Sequence, residues 1–241
     1  MRALHTLSVG LVAVAVAALA LLVLREPAPV NAAANDSIEG KVVLEGKVPA
    51  RNALDMSSDP VCAAKNKGAT DETVVVGKAG ALKDVHVSIE SGQAGEHEAP
   101  NTPVVIEQVG CIYRPRISGA MRGQEVQIVN GDKTLHNVHA YRAKRTAFNR
   151  AQPSGAKPIA FKKLGKAGTV FTLKCDVHTW MAAYVPITDH PFFDVTGADG
   201  SFSIKDVPRG KSYTLEAWHP KYGLKSMKVK SGDANVKIAF P

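Results

Sequence analysis

Short runs of alternating apolar and polar residues recur along most of the chain after residue 34. Glycine, proline, asparagine and aspartate separate these runs, and a helical repeat of apolar positions is hard to find. Strict alternation is typical of strands that bury one face, so the pattern predicts an almost entirely β-stranded protein. Up to residue 190 we expect strands at 41–44, 74–76, 85–89, 104 onward, 116–118, 125–129, 136–141, 168–175 and 182–187.

The alternation is cleanest near the C-terminus. Phe193 and Val195 approach the turn at Asp199-Gly200, and Phe202 leaves it, which is a typical hairpin pattern. A unit of about 50 residues has little core of its own, so we expect it to pack against its neighbour or to borrow the strand at 41–44. The predicted organisation is an N-terminal strand and loop segment at 35–73, a larger β domain at 74–190 and a small β-sandwich at 191–241.

The first 34 residues have the pattern of an export signal. Arg2 supplies a positive charge, Leu7 to Leu24 contains no charged residue, and small residues suited to signal peptidase precede cleavage points after Ala32 or Ala34. The uncharged run is also long enough to span a bilayer, which leaves an uncleaved membrane anchor as the alternative. We therefore expect a periplasmic or otherwise exported protein.

The composition is basic. Removing the first 34 residues takes two of the 30 basic and one of the 22 acidic residues, and leaves a net charge of +7. Because the basic residues are spread along an exported chain, we exclude nucleic acid and expect a protein partner with an acidic surface. The densest basic cluster predicts a solvated loop, with a docking patch as the alternative; it comprises Arg142, Lys144, Arg145 and Arg150.

Three cysteines in an oxidising compartment leave one over after a single disulfide. Cys62 and Cys111 lie in turn-like segments, whereas Cys175 lies near a histidine and a methionine. The simplest partition is a Cys62–Cys111 bridge with Cys175 as a ligand, although sequence alone does not fix the connectivity.

The segment from Cys175 to Met181 predicts a metal site. Cys175, His178 and Met181 follow a predicted strand at intervals of three, and His136 comes some forty positions earlier. A thiolate, two imidazoles and a thioether are the ligands of a copper ion that cycles between Cu(I) and Cu(II). Zinc is disfavoured because a thioether is a poor ligand for it.

Strand alternation supports His136 as a ligand. It shares one face of its strand with Val138, whereas His139 points to the opposite face. The isolated residues His86, His97, His190 and His219 are interpreted as surface or turn residues. No catalytic motif is found, so we do not expect an enzyme.

The stretch from 74 to 190 resembles the cupredoxin family. The segment from Gly123 to Val126, leading to His136, resembles the plastocyanin strand that carries the first histidine, and the Cys175-x-x-His178-x-x-Met181 loop resembles that of amicyanin. The resemblance implies a Greek-key sandwich or barrel holding one copper ion. It also implies that Asn137 steadies the site.

The C-terminal stretch from 193 to 241 resembles the small β-sandwich appended to carboxypeptidases, and transthyretin-like modules. Asp199-Gly200-x-Phe202-x-Ile204 and Val207-Pro208-x-Gly210 carry this resemblance. Chains that combine the two parts are similar to exported proteins described as methylamine-utilisation or plastocyanin-like. The implied fold class is all-β, a cupredoxin sandwich followed by a regulatory-like sandwich.

These observations predict a periplasmic electron-transfer protein. We expect electrons to leave through His178, with an apolar rim that includes Trp180 and Pro186 as the docking surface. The alternative is a Cu(I) delivery or storage module without redox turnover. A third possibility, in which the C-terminal sandwich binds glycans, is disfavoured by its lack of clustered aromatic residues.

Overall fold

The computed structural model of the chain describes residues 35–95 and 97–241. The predicted export segment at 1–34 therefore lies outside the described residues. Within the described part, no helix is long and apolar enough to cross a membrane.

Strands are the main regular structure of the described residues, as the alternation predicted. One short helix, α1, spans Pro60–Lys65, and a 3₁₀ turn spans Lys78–Gly80. The first eight strands are β1 (Asn35–Leu44), β2 (His86–Ile89), β3 (Val104–Gln108), β4 (Tyr113–Arg114), β5 (Ala120–Met121), β6 (Val126–Asn130), β7 (His136–Arg142) and β8 (Arg145–Gln152). The remaining strands are β9 (Ile159–Phe161), β10 (Val170–Lys174), β11 (Ala182–Thr188), β12 (Phe193–Val195), β13 (Ser201–Pro208), β14 (Ser212–His219), β15 (Gly223–Lys230) and β16 (Val236–Phe240).

Two pairs of sheets enclose two separate hydrophobic cores. The first half contains the sheets β5-β11-β10-β7-β8 and β4-β3-β6-β9, around residues such as Ile128, Phe171 and Leu173. The second half contains the sheets β13-β1-β16 and β12-β2-β14-β15, around residues such as Leu215 and Phe202. Each core is closed because alternate residues of facing strands point inward.

Some segments from the start of the chain belong to the second half of the structure. Strand β1 lies in the second half, antiparallel to β13 and parallel to β16. Strand β2 also lies there, between β12 and β14, although its sequence placed it with the larger domain. All four residues of β2 are buried, as expected for a central strand covered on both faces. Met56 and Cys62, in contrast, pack into the core of the first half.

Four local predictions are wrong. The strands on either side of Asp199-Gly200 do not form the expected hairpin, because β12 pairs with β2 and β13 pairs with β1. The stretch around Cys62 was expected to be a loop, but it forms α1, because Asp59 caps the first turn and Pro60 is suited to its start. The basic cluster lies on the exposed β7–β8 hairpin rather than in a loop, and β8 is an edge strand. Charged residues on such an edge oppose pairing with another chain. The runs at 74–76 and 116–118 make only isolated bridges.

Candidate metal centre

The ligand loop joins two neighbouring strands of the five-stranded sheet. Strand β10 ends at Lys174, and Cys175 to Met181 lead into β11. The loop folds back on itself, because the Met181 amide donates to the His178 carbonyl at 2.9 Å and the Cys175 amide donates to the Met181 carbonyl at 3.4 Å. These bonds keep the predicted ligands of the loop on one side of the sheet.

His136 reaches the same place from the adjacent strand. Strand β7 pairs with β10, with His139 opposite Lys174, so the start of β7 lies beside the ligand loop. The Nδ1 atoms of His136 and His178 are 2.9 Å apart, and the Cys175 Sγ lies 3.8 Å from His178 Nδ1. Three of the four predicted ligands therefore converge through one atom each.

The fourth predicted ligand is buried in the same core as Cys175. Met181 is 1% exposed and belongs to the same core as Cys175, which is 3% exposed. His136 and His178 are equally enclosed, at 0% and 1%. The predicted ligand set thus lies below the protein surface, at the edge of the first core.

The disulfide between Cys62 and Cys111 is confirmed. It leaves Cys175 as the free cysteine of the described chain. The bridge also covers the site, since Cys62 Sγ lies 3.5 Å from His178 Nε2. Trp180 fastens the other side of the bridge, because its indole N–H donates to the Cys111 carbonyl at 2.9 Å.

Asn137 ties β7 to the ligand loop. Its side-chain oxygen accepts the Asp176 amide at 2.6 Å and the Val177 amide at 3.3 Å, and its NH₂ group donates to Asp176 and Asn149. These contacts fix the two residues that follow Cys175. His139 lies on the outer face, where it contacts Asp176 at 2.9 Å rather than the thiol.

Two carboxylates that the sequence did not suggest also contact the histidines. Asp132 Oδ2 lies 3.0 Å from His136 Nε2, and Asp59 Oδ2 lies 3.1 Å from His178 Nε2. The spacing of four between Asp132 and His136 was visible but is common, and Asp59 comes from a distant segment. Their roles depend on the tertiary fold, which the alternation pattern does not reveal.

Both carboxyl groups have a pKa below the usual value. Burial alone would raise the pKa of Asp132, but hydrogen bonds from the Cys111 amide and from His136 outweigh it. The Thr134 hydroxyl is the largest cause of the lowered pKa of Asp59, against the opposing effect of burial. The two groups are thus ionised and accept hydrogen bonds at neutral pH, so each histidine donates through Nε2–H.

The donor atoms fit a single soft or borderline metal ion. Ligand bonds of about 2.0 Å to nitrogen and about 2.3 Å to sulfur place neighbouring ligand atoms at about the separations seen here. A distance of 2.9 Å between the two Nδ1 atoms suits either a hydrogen bond between the rings or a metal ion bound by both. The nearby thiol adds a third donor atom that a metal ion could use.

Two sequence-based interpretations do not agree with this geometry. The ring of His178 is not open to solvent, because α1, the disulfide and Trp180 cover it, and Pro186 of the expected docking rim is buried. Three histidines expected at the surface or in turns are also enclosed; they are His86, His190 and His219. They lie on or beside strands of the second half, where both sheet faces are covered.

No protein-family model and no curated protein matches the chain. Among solved structures, it is similar to a copper-containing nitrite reductase from Thermus scotoductus, at 17% identity and a TM-score of 0.31, over 43% of this chain and 25% of that one. It is also similar to a purple cupredoxin from Nitrosopumilus maritimus, at 18% identity and a TM-score of 0.28, over 42% of this chain and 97% of that one.

A mutant of amicyanin in its Cu(I) form is a further similar structure, at 19% identity and a TM-score of 0.31, over 43% of this chain and 98% of that one. The chain thus spans a quarter of the nitrite reductase and nearly all of the two small proteins. The sheets described above confirm the predicted fold class as all-β, with one sandwich in each half.

Proposed function

We propose that the protein binds one copper ion in a type 1-like site and transfers single electrons in the periplasm. The observation that carries the proposal is the convergence of His136 Nδ1, His178 Nδ1 and Cys175 Sγ while the other cysteines form a disulfide. Met181 would supply a fourth donor, and its thioether beside a thiolate would favour copper over harder metal ions.

Copper supplies a one-electron change between Cu(I) and Cu(II) when it is bound. The protein's contribution is a nearly fixed set of donor atoms, because the ligands lie on two hydrogen-bonded strands and a loop closed by its own amides. Asn137 limits movement of the residues after Cys175. A rigid set of ligands suits electron transfer, since little rearrangement is then needed between the two oxidation states.

Burial favours electron transfer over the alternative of Cu(I) delivery. The three converging ligands are at most 3% exposed, so a partner protein has no direct access to exchange a ligand. Electrons can still reach the surface over a short distance, because His178 contacts Asp59 and the side chain of Asp59 is 15% exposed. We propose a redox protein with an acidic surface as the partner, and a carrier rather than an enzyme.

An exported location is part of the proposal. Disulfides persist in oxidising compartments such as the periplasm, and the Cys62–Cys111 bridge supports export in that sense. The export signal proposed at 1–34 would deliver the chain there.

Metal analysis with a visible and an electron paramagnetic resonance spectrum tests the proposal. The purified protein should hold one copper per chain and show an intense thiolate-to-copper band that is lost reversibly on reduction. Cys175→Ser should abolish the band. His139→Gln is the matched control, since His139 is on the same strand as His136 but faces outward, and it should leave the band in place. A protein that binds only Cu(I) and is never coloured would contradict electron transfer and favour delivery.

A further inference from the structure

We propose that Asp59 and Asp132 are positioning residues that orient the two histidine ligands and lower the reduction potential of the bound copper. This inference deepens the proposed function and rests on it. It starts from a symmetry in the site: each imidazole turns Nδ1 toward the other ring and contacts a carboxylate through Nε2.

Asp132 is held so firmly that it cannot turn away from His136. One of its oxygens accepts the Gly110 amide at 2.9 Å and contacts the Lys65 ammonium at 3.1 Å. The other accepts the Cys111 amide at 2.8 Å and the His136 Nε2–H at 3.0 Å. The side chain of Asp132 has no exposed surface, so water does not compete for these bonds.

Asp59 is held in the same way by the start of α1 and by Thr134. Its Oδ1 accepts the Val61 and Cys62 amides at the start of α1, at 2.8 and 3.2 Å. Its Oδ2 accepts the Thr134 hydroxyl at 2.6 Å and the His178 Nε2–H at 3.1 Å. One carboxylate thus serves as the helix cap and as the support of a histidine.

These contacts fix the tautomer of both rings. A proton held on Nε2 by a carboxylate leaves the Nδ1 lone pair free to bind the metal. A carboxylate also makes the imidazole a stronger electron donor, which favours the more highly charged Cu(II) over Cu(I). Two such pairs in a buried site should therefore hold the potential below that of a site without them.

A third carboxylate–histidine pair in the first half differs from those of Asp132 and Asp59 in its exposure and its orientation. Asp176 contacts His139 at 2.9 Å, but it is half exposed at its side chain and its histidine faces away from the thiol. Asp176→Asn therefore removes a carboxylate close to Cys175 without touching either ligand ring, and it serves as the matched control.

The test measures the reduction potential of the purified full-length protein by optical redox titration. Asp132→Asn and Asp59→Asn keep an acceptor oxygen but remove the charge. Each should change the ratio of Cu(II) to Cu(I) affinities by at least tenfold, which corresponds to a rise of 59 mV for a one-electron couple. Asp132, the more buried of the two, should show the larger rise, and Asp176→Asn a much smaller one. Wild-type potentials in both variants, with the thiolate band intact, would overturn the inference.

Lys65 provides a second test that does not disturb the packing of the site. It lies in the last turn of α1 with an exposed side chain and contacts Asp132. Without the positive charge of Lys65, the negative charge of Asp132 is less compensated, so Lys65→Gln should lower the reduction potential of the copper. Lys67→Gln, which removes a charge two residues farther on, is the control. If the aspartate variants do not fold, this pair decides: equal potentials for the two lysine variants would refute the role of Asp132.

Nuclear magnetic resonance separates this inference from the proposed function. Long-range ¹H–¹⁵N spectra of the metal-free protein should show both rings protonated at Nε2. A protein that never binds copper but shows this tautomer would contradict the proposed function while leaving the orienting role intact. Protonation at Nδ1 alone in either ring would overturn the orienting role of its aspartate.

Discussion

Buried histidines occur in both halves of the protein, but their ring nitrogens face different surroundings. In the first half, His136 and His178 each contact a carboxylate through one nitrogen and face Cys175 with the other. In the second half, His86 Nε2 has no hydrogen-bond partner among the described residues, and His190 bonds to the backbone of Ile89 and Phe192. Burial of a histidine is thus no evidence for a ligand, whereas convergence of two rings with a free thiol is.

The electrostatic consequences differ in the same way. Burial lowers the pKa of His86 to about 3, and burial with the nearby Arg116 lowers that of His219 to about 4. These rings are neutral parts of an apolar core. Burial also lowers the pKa of His136, but there Asp132 opposes the effect. In the first half a carboxylate thus offsets the effect of burial on His136, whereas the charge near His219 adds to it.

Replacing one histidine in each half gives the largest contrast. His136→Ala should abolish the thiolate-to-copper band, and it should weaken copper binding more than about 100-fold, because loss of a mere supporting group already costs about 10- to 100-fold. His219→Gln should leave copper binding unchanged. Competition titrations with a copper chelator measure both. Equal losses in the two variants would remove the distinction between the halves.

Removal of the disulfide should destabilise the first half selectively. The bridge joins residues separated by 49 positions, and a closed loop of this length is worth about 4 kcal/mol in the chain-entropy model. Cys62→Ala with Cys111→Ala should therefore lower the free energy of unfolding of the first half by about that amount. Denaturant titrations would follow Trp180 in the first half and Trp218 in the second, each in a variant with the other tryptophan replaced by Phe. An equal shift at both probes would show that the halves unfold as one unit.

Acid should destabilise the second half through its neutral histidines. Because the folded-state pKa values of His86 and His219 lie below the usual 6.5, the unfolded chain binds more protons than the folded chain as the pH falls. Between pH 6.5 and pH 5, each histidine should cost about 1.5 kcal/mol of stability. Denaturant titrations at the two pH values measure the loss. In His219→Gln the loss of stability between the two pH values should be smaller by the contribution of His219. An unchanged loss would contradict the view that His219 is buried and neutral in the folded protein.

A pair of side chains that tie loops to strands should give the smallest effects. Asn137 holds the ligand loop, and Thr196 accepts the Val85 amide and donates to the Leu82 carbonyl in the second half. Asn137→Ala and Thr196→Val should each cost about 1 kcal/mol of stability, the usual value of such bonds. Only Asn137→Ala should also broaden the thiolate-to-copper band. A broadened band in Thr196→Val as well would show that the site senses the second half.

The sequence predicted those features that depend on local pattern. Alternation located the strand that begins at His136 and the strand that ends just before Cys175, because each has one buried face. The odd cysteine and the spacing of three in the ligand loop indicated a metal site, and the disulfide followed from the remaining pair. These inferences require only the residues of one strand or one loop.

Features that depend on long-range packing were not predicted. Strand β2 is buried on both faces although polar and apolar residues alternate in it, and alternation does not show to which sheet a strand belongs. In the sequence, Asp59 and Asp132 look like ordinary turn residues. They contact the histidines only because the tertiary fold places α1 and the turn before β7 next to them. His219 was interpreted as a surface or turn residue because it is isolated in the sequence, whereas its neighbours in space are Tyr222 and Phe240.

The covalent attachment of α1 has a consequence for the order in which the protein matures. Cys62 contacts His178, and its disulfide bond to Cys111 restricts movement of α1 away from the histidine. An ion of the proposed site would then have to enter before the cysteines are oxidised, or during a rare local unfolding event of the finished domain. Oxidation of the chain would thus set a time limit for loading, and it would make loss of the ion correspondingly slow.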